Sequence, residues 1–158
     1  MKSLWLMIAL ASVASVPTFA RAAIKPHAPV LQCNDADHAR GSCVILPLGG
    51  QAVEVANLRL LFVDLEDNRC PLDVDCFWAG YVNTTLVVES PKLGIPLQYV
   101  ELSLDPREEL SHVWVNDAAG LTVILEDVSR TESAENASVS HRGAKVIVGR
   151  NLSPSPNL

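Results

Sequence analysis

Acidic side chains crowd one stretch of this chain: Asp64, Glu66, Asp67 and Asn68 are followed closely by Asp73 and Asp75. Calcium takes about six to eight oxygen ligands, and carboxylates spaced this tightly in a loop could supply them. The run lacks the mid-loop glycine and terminal glutamate of an EF-hand, so an ordinary solvated loop is the competing expectation. A second group, Asn34-Asp35-Ala36-Asp37-His38, combines imidazole with carboxylates, the donors that suit a transition metal. The remaining histidines, His27, His112 and His141, form no H-x-H or H-x3-H pattern. His112 shares a strand face with Trp114 and reads as a surface or partly buried residue. No residue is therefore assigned as a metal ligand.

Catalytic spacings are missing. The chain has no G-x-S-x-G elbow, no G-x-G-x-x-G and no phosphate loop. Its four cysteines are Cys33, Cys43, Cys70 and Cys76. The C-x9-C and C-x5-C spacings are too wide for the tight pairs of a structural zinc site. Disulfides fit better, and oxidised cysteines leave no thiolate nucleophile. Four cysteines allow about three pairings, and sequence does not choose among them. Short loop closure favours Cys33–Cys43 with Cys70–Cys76. The expectation is a non-enzymatic protein without a cofactor.

Oxidised cysteines need an oxidising compartment, and the N-terminus supplies the route. Lys2 precedes an apolar run from Leu4 to Val16, and Thr18-Phe19-Ala20 places small residues where signal peptidase reads. Cleavage after Ala22 is nearly as good. The run is shorter than the ~20 residues of a membrane span, and no second apolar run of that length follows. Residues 1–20 are read as a signal peptide, 21–40 as an extended lead-in, 41–149 as one β domain and 150–158 as a loose Ser/Pro tail. The address is the periplasm or beyond. The 158 residues carry a formal charge of −6, and an acidic surface repels phosphates. Nucleic acid and anionic lipid are excluded as partners on that ground. An envelope protein remains. The N-x-S/T sequons at Asn83, Asn136 and Asn151 would matter only in a eukaryotic secretory pathway.

Between its ends the chain alternates with period two. Val82, Thr84, Leu86 and Val88 fall on one face against Tyr81, Asn83, Thr85 and Glu89, with Val87 breaking the pattern. Val100, Leu102 and Leu104 oppose Tyr99, Glu101 and Ser103, and Leu121, Val123 and Leu125 oppose Thr122 and Glu126. Ala144, Val146 and Val148 repeat the scheme. These are half-buried strands. Leu58–Leu65 is apolar on both faces for part of its length, as a central strand would be. Ser90–Gly94 and Asn116–Gly120 are turn-rich and predict hairpins. Asp105-Pro106 could start one helical turn, which the valine-rich run from Val113 would end. The fold class is all-β: a disulfide-stapled sandwich or barrel of about seven or eight short, mostly antiparallel strands.

One segment carries a resemblance. Arg69-Cys70-Pro71, Val74, Cys76 and Trp78-Ala79-Gly80 lie between a hydrophobic strand and a valine-rich one. They resemble a motif of small exported bacterial proteins of uncharacterised function. The resemblance covers twelve of the 158 residues, implies a β-rich exported domain in a bacterium and brings no activity with it. Within it a short disulfide ring followed by Phe77-Trp78 predicts a clamp. The ring fixes a turn, Trp78 covers the core edge, and Gly80 permits a tight backbone before the next strand, with Arg69 and Pro71 completing the structural motif. The alternative is a rigid presented loop, Pro71–Asp75, that binds a partner at low ordering cost, as inhibitor loops do. The function expected is an exported binding or structural accessory domain. Its alternatives are an envelope metal-binding protein using residues 64–75, or an inhibitor presenting the Cys70–Cys76 loop.

Overall fold

The computed structural model describes residues 30–72, 74–78, 80–107, 111–130 and 142–152. The expected signal peptide and most of the lead-in lie outside the described residues. Eight strands among those described form two antiparallel sheets, confirming the all-β expectation. In chain order they are β1 (Ser42–Pro47), β2 (Val53–Val55), β3 (Leu58–Asp67), β4 (Val82–Ser90), β5 (Ile95–Leu104), β6 (Val113–Asn116), β7 (Leu121–Val128) and β8 (Gly143–Arg150). The first sheet runs β1-β8-β7-β6 and the second β2-β3-β4-β5.

The period-two pattern settles which faces meet. β4 alternates strictly, with Val82, Thr84, Leu86, Val88 and Ser90 inside. Val100 and Leu102 of β5 join them, as do Leu58, Leu60 and Phe62 of β3. From the first sheet come Leu46, Leu121, Val123, Leu125, Val146 and Val148, closing a single apolar core between the layers. Two buried hydroxyls keep partners: Thr84 donates to the Leu102 carbonyl at 2.9 Å and Ser90 to that of Asn57 at 2.5 Å. A buried donor left unpaired would cost about 1–3 kcal/mol. β3 is an inner strand of its sheet, with a bulge between Phe62 and Asp64. The 3-10 turn Pro91–Leu93 joins β4 to β5, and Asn116–Gly120 joins β6 to β7, as the turn residues predicted. At Asp105 the carboxylate receives the Arg107 N–H at 2.9 Å; residues 108–110 are outside those described.

Three expectations need correction. Residues 35–40 are not extended: they form a helix, α1 (Asp35–Arg40). Asn34 caps it by accepting the Asp37 N–H at 3.0 Å, and the Asp37 carboxylate accepts the Asn34 N–H at 3.0 Å. This reciprocal cap satisfies two amides that a helix of this length would otherwise leave open. Thr122 does not face water but is buried, as are Ile124 and Ile147 on the same outer face of the first sheet. Two segments explain this: α1 lies over that face, and Leu152 packs against Gly149, the β8 neighbour of Thr122. Asp37 reaches Lys145 of β8 at 3.2 Å, Arg40 reaches Glu126 of β7 at 2.8 Å, and the Cys33–Cys43 bridge ties the segment to β1. Lastly, the tail does not begin at residue 150. Arg150 ends β8, Asn151 donates to the Gly120 carbonyl at 3.3 Å, and the half-buried Leu152 lies against Gly149.

Candidate functional site

The motif segment is the connection from β3 to β4, and its base is bolted down. Asn68 N–H donates to the Tyr81 carbonyl at 2.9 Å, closing the loop across its ends. Asp67, the last residue of β3, sits between two guanidinium groups. Arg69 donates to it from Nε and Nη2, both at 2.9 Å, and Arg142 donates from Nη2. Arg69 also reaches the other sheet, donating to the carbonyls of Val128 at 3.0 Å and Ser129 at 3.2 Å. One arginine thus ties loop, second sheet and first sheet together. Burial pushes the Asp67 carboxyl up, but the hydrogen bonds and charge of Arg69, with the charge of Arg142, outweigh it and hold the group below the usual carboxylate range.

The closing end needs glycine. Gly80 has φ +68°, and a Cβ there would fall 2.2 Å from the Asn68 carbonyl oxygen. The sequence expectation of a tight backbone at Gly80 holds. Cys70 and Cys76 are bridged, with Cα atoms 5.9 Å apart, and Cys33 with Cys43 at 5.8 Å; no cysteine is free among the described residues. Both pairings are those the short loops favoured. Inside the ring, Val74 N–H turns back to the Pro71 carbonyl at 3.4 Å, and Pro71 is half-buried.

The clamp expectation fails at its aromatic. Trp78 does not cover the core edge: it is 56% exposed, and Phe77 is 96% exposed. The two rings stack edge to face, 4.6 Å between centroids at 88°. The reason lies in the base. Arg69 and Gly80 hold the two ends of the loop, so the residues after the ring project outward instead of folding back onto the sheets. Val74, within the ring, is also exposed. A disulfide-closed loop therefore displays three apolar side chains to water.

The acidic run does not assemble as a cation site. Asp67 is engaged by Arg69 and Arg142, while Glu66 accepts from Asn68 at 2.9 Å and Asn83 at 3.2 Å. Those amides hold the Glu66 carboxyl below its usual range. Asp64 and Asp75 are exposed, and Asp73 lies outside the described residues. The second group, Asn34–His38, is the helix cap already described, with His38 in solvent. Among the described residues no three His, Cys, Asp or Glu side chains converge as a metal site. His112 is buried. Burial drives its pKa down; nearby Glu126 opposes the shift and Arg40 reinforces it. The sequence reading missed this cap, although Asn followed three residues on by an acid is a helix-start spacing that could have found it.

The chain matches no family model, no curated protein and no solved structure. Its two disulfides fit a periplasmic or extracellular location. No helix among the described residues is long and apolar enough to cross a membrane.

Proposed function

We propose that this chain is an exported, non-enzymatic binding domain of the bacterial envelope, and that it holds a protein partner through Phe77, Trp78 and the Cys70–Cys76 ring. The observation that carries the reading is the display of Phe77 at 96% and Trp78 at 56% exposure on a loop anchored at both ends. Large aromatics left in water forgo the burial free energy that normally recruits them to a core. At interfaces, Trp is among the residues that carry most binding energy. A loop fixed by a disulfide, a glycine turn and a two-arginine anchor has little ordering entropy left to lose, which favours affinity. Among the described residues the cysteines are oxidised, Asp37 caps a helix and Asp67 joins the sheets, so these groups have structural roles.

The test is site-specific photocrosslinking in intact cells, with a benzophenone side chain at position 77 and, separately, at position 115, an exposed valine of β6. The reading expects a discrete adduct from position 77 that disappears when Trp78→Ala is added or when purified wild-type domain competes. Adducts from both positions alike, or an adduct indifferent to Trp78→Ala, would reject it. The exposure of Val74 inside the ring favours one narrower version, an inhibitor whose ring enters a protease cleft. A protease panel run with and without reductant tests that version: inhibition must vanish on reduction.

A further inference from the structure

The two outer faces of the sandwich are unequal. The first sheet is covered by α1 and by Leu152, whereas among the described residues nothing covers the second. Cross-strand register aligns Leu61, Val87 and Tyr99 in one row across β3, β4 and β5 of that bare face. Tyr99 is 72% exposed, and Leu97, two residues earlier in β5, is 58% exposed. Towards one end the next row holds Arg59 opposite Glu89, paired at 2.8 Å with the arginine side chain still 63% exposed. Towards the other end the next row is Asp64, Thr85 and Glu101. Asp64 and Glu101 are exposed, and neither pairs with a cation among the described residues. An apolar row is thus flanked by the Arg59–Glu89 pair, its guanidinium still reachable, on one side and by two carboxylates on the other.

That arrangement is self-complementary in one orientation. We infer that a second copy of this chain docks on the bare face with its β3 running antiparallel across this β3, Arg59 of each copy meeting Asp64 of the other. The alternative two-fold axis, along the strands, would stack β3 on β5 and bring Asp64 against Glu101; like charges there oppose it. The axis across the strands sets Tyr99 on Tyr99 and Val87 on Val87, and repeats the Arg59–Asp64 pair twice. Two sheets stack face to face about 10 Å apart in this way, their strands crossing at about 30°. A two-fold contact uses the same patch on both copies and closes, so the product is a dimer and not a fibre. The apolar row is a single line of three side chains with Leu97 beside it, so the association is weak and concentration-dependent. It involves none of the residues of the Phe77–Trp78 loop.

Sedimentation velocity from about 10 µM to about 1 mM covers the range of a weak association. Wild type should show a reversible monomer–dimer equilibrium. Arg59→Asp and Asp64→Arg should each weaken it about tenfold or more, through like-charge contact, and the double swap should restore it. Tyr99→Asp should abolish it, with far-ultraviolet circular dichroism confirming that each variant is folded. A monomer throughout the range would overturn the inference. So would a folded double swap that stays monomeric, or a dimer that ignores Tyr99→Asp but is lost with Trp78→Ala.

Discussion

Trp78→Ala should shift the denaturant unfolding midpoint hardly at all, by less than about 1 kcal/mol, because the side chain already stands in water. Had it covered the core edge, the loss would be about 3–5 kcal/mol, so equilibrium melts separate the two placements cleanly. Two residues on, Gly80→Ala should cost about 3 kcal/mol. The positive φ disfavours any Cβ, and the added atom would overlap the Asn68 carbonyl, which is backbone and cannot swing aside. A melt in which Trp78→Ala is the costlier of the two would mean the loop packs inward. The glycine was legible from its place before a strand. The tryptophan was not, because residue type reports an affinity for burial but not whether the chain offers a surface to bury it against. Here the loop ends are fixed by Arg69 and Gly80, and Phe77 and Trp78 stay exposed.

Among elements, the strands were legible because each buried face obeys a period that backbone geometry imposes. Leu102→Ala in β5 should cost about 2–5 kcal/mol and Glu101→Ala almost nothing, as read from chemical denaturation; equal losses would mean the facing of β5 is reversed. What the period could not reveal was the second burial on the far side of the first sheet. Thr122, Ile124 and Ile147 are inside on a face that α1 and Leu152 cover, contacts between segments far apart in sequence. Nor could it show that Asp67 joins the sheets, since its partner Arg142 is 75 residues away. Asp67→Ala should cost about 3–5 kcal/mol, because it strips two largely buried guanidinium groups of their shared carboxylate. The surface pair Lys92–Glu54 is the contrast: Glu54→Ala should cost no more than about 1 kcal/mol. If urea midpoints for the two variants coincide, Asp67 is not a staple.

At the scale of the whole molecule, acid should act in two separate steps. His112 lies where α1, β6 and β7 come together: its carbonyl accepts the Leu125 N–H at 2.8 Å, and the Arg40–Glu126 pair supplies the charges beside it. Burial lowers its pKa in the fold, so just below the ordinary value of about 6.5 the unfolded chain binds more protons than the native one. Stability is then full above about pH 6.5 and declines as pH falls towards the native value. Asp37 and Asp67 have the same sign at lower pH. The Asn34 backbone amide, with Lys145, outweighs burial at Asp37, as Arg69 and Arg142 do at Asp67, so both carboxyls are depressed. Their contribution is present above about pH 4 and disappears as pH falls through their native values. Urea midpoints measured from pH 7.5 down to 3 should therefore show a shallow loss beginning near pH 6.5 and a steeper one below about pH 4. His112→Gln, which cannot take up a proton, should remove the first loss and leave the second. A wild-type profile flat between pH 7.5 and 5, or an unchanged first loss in His112→Gln, would place the histidine in solvent and take the helix cover off the first sheet with it.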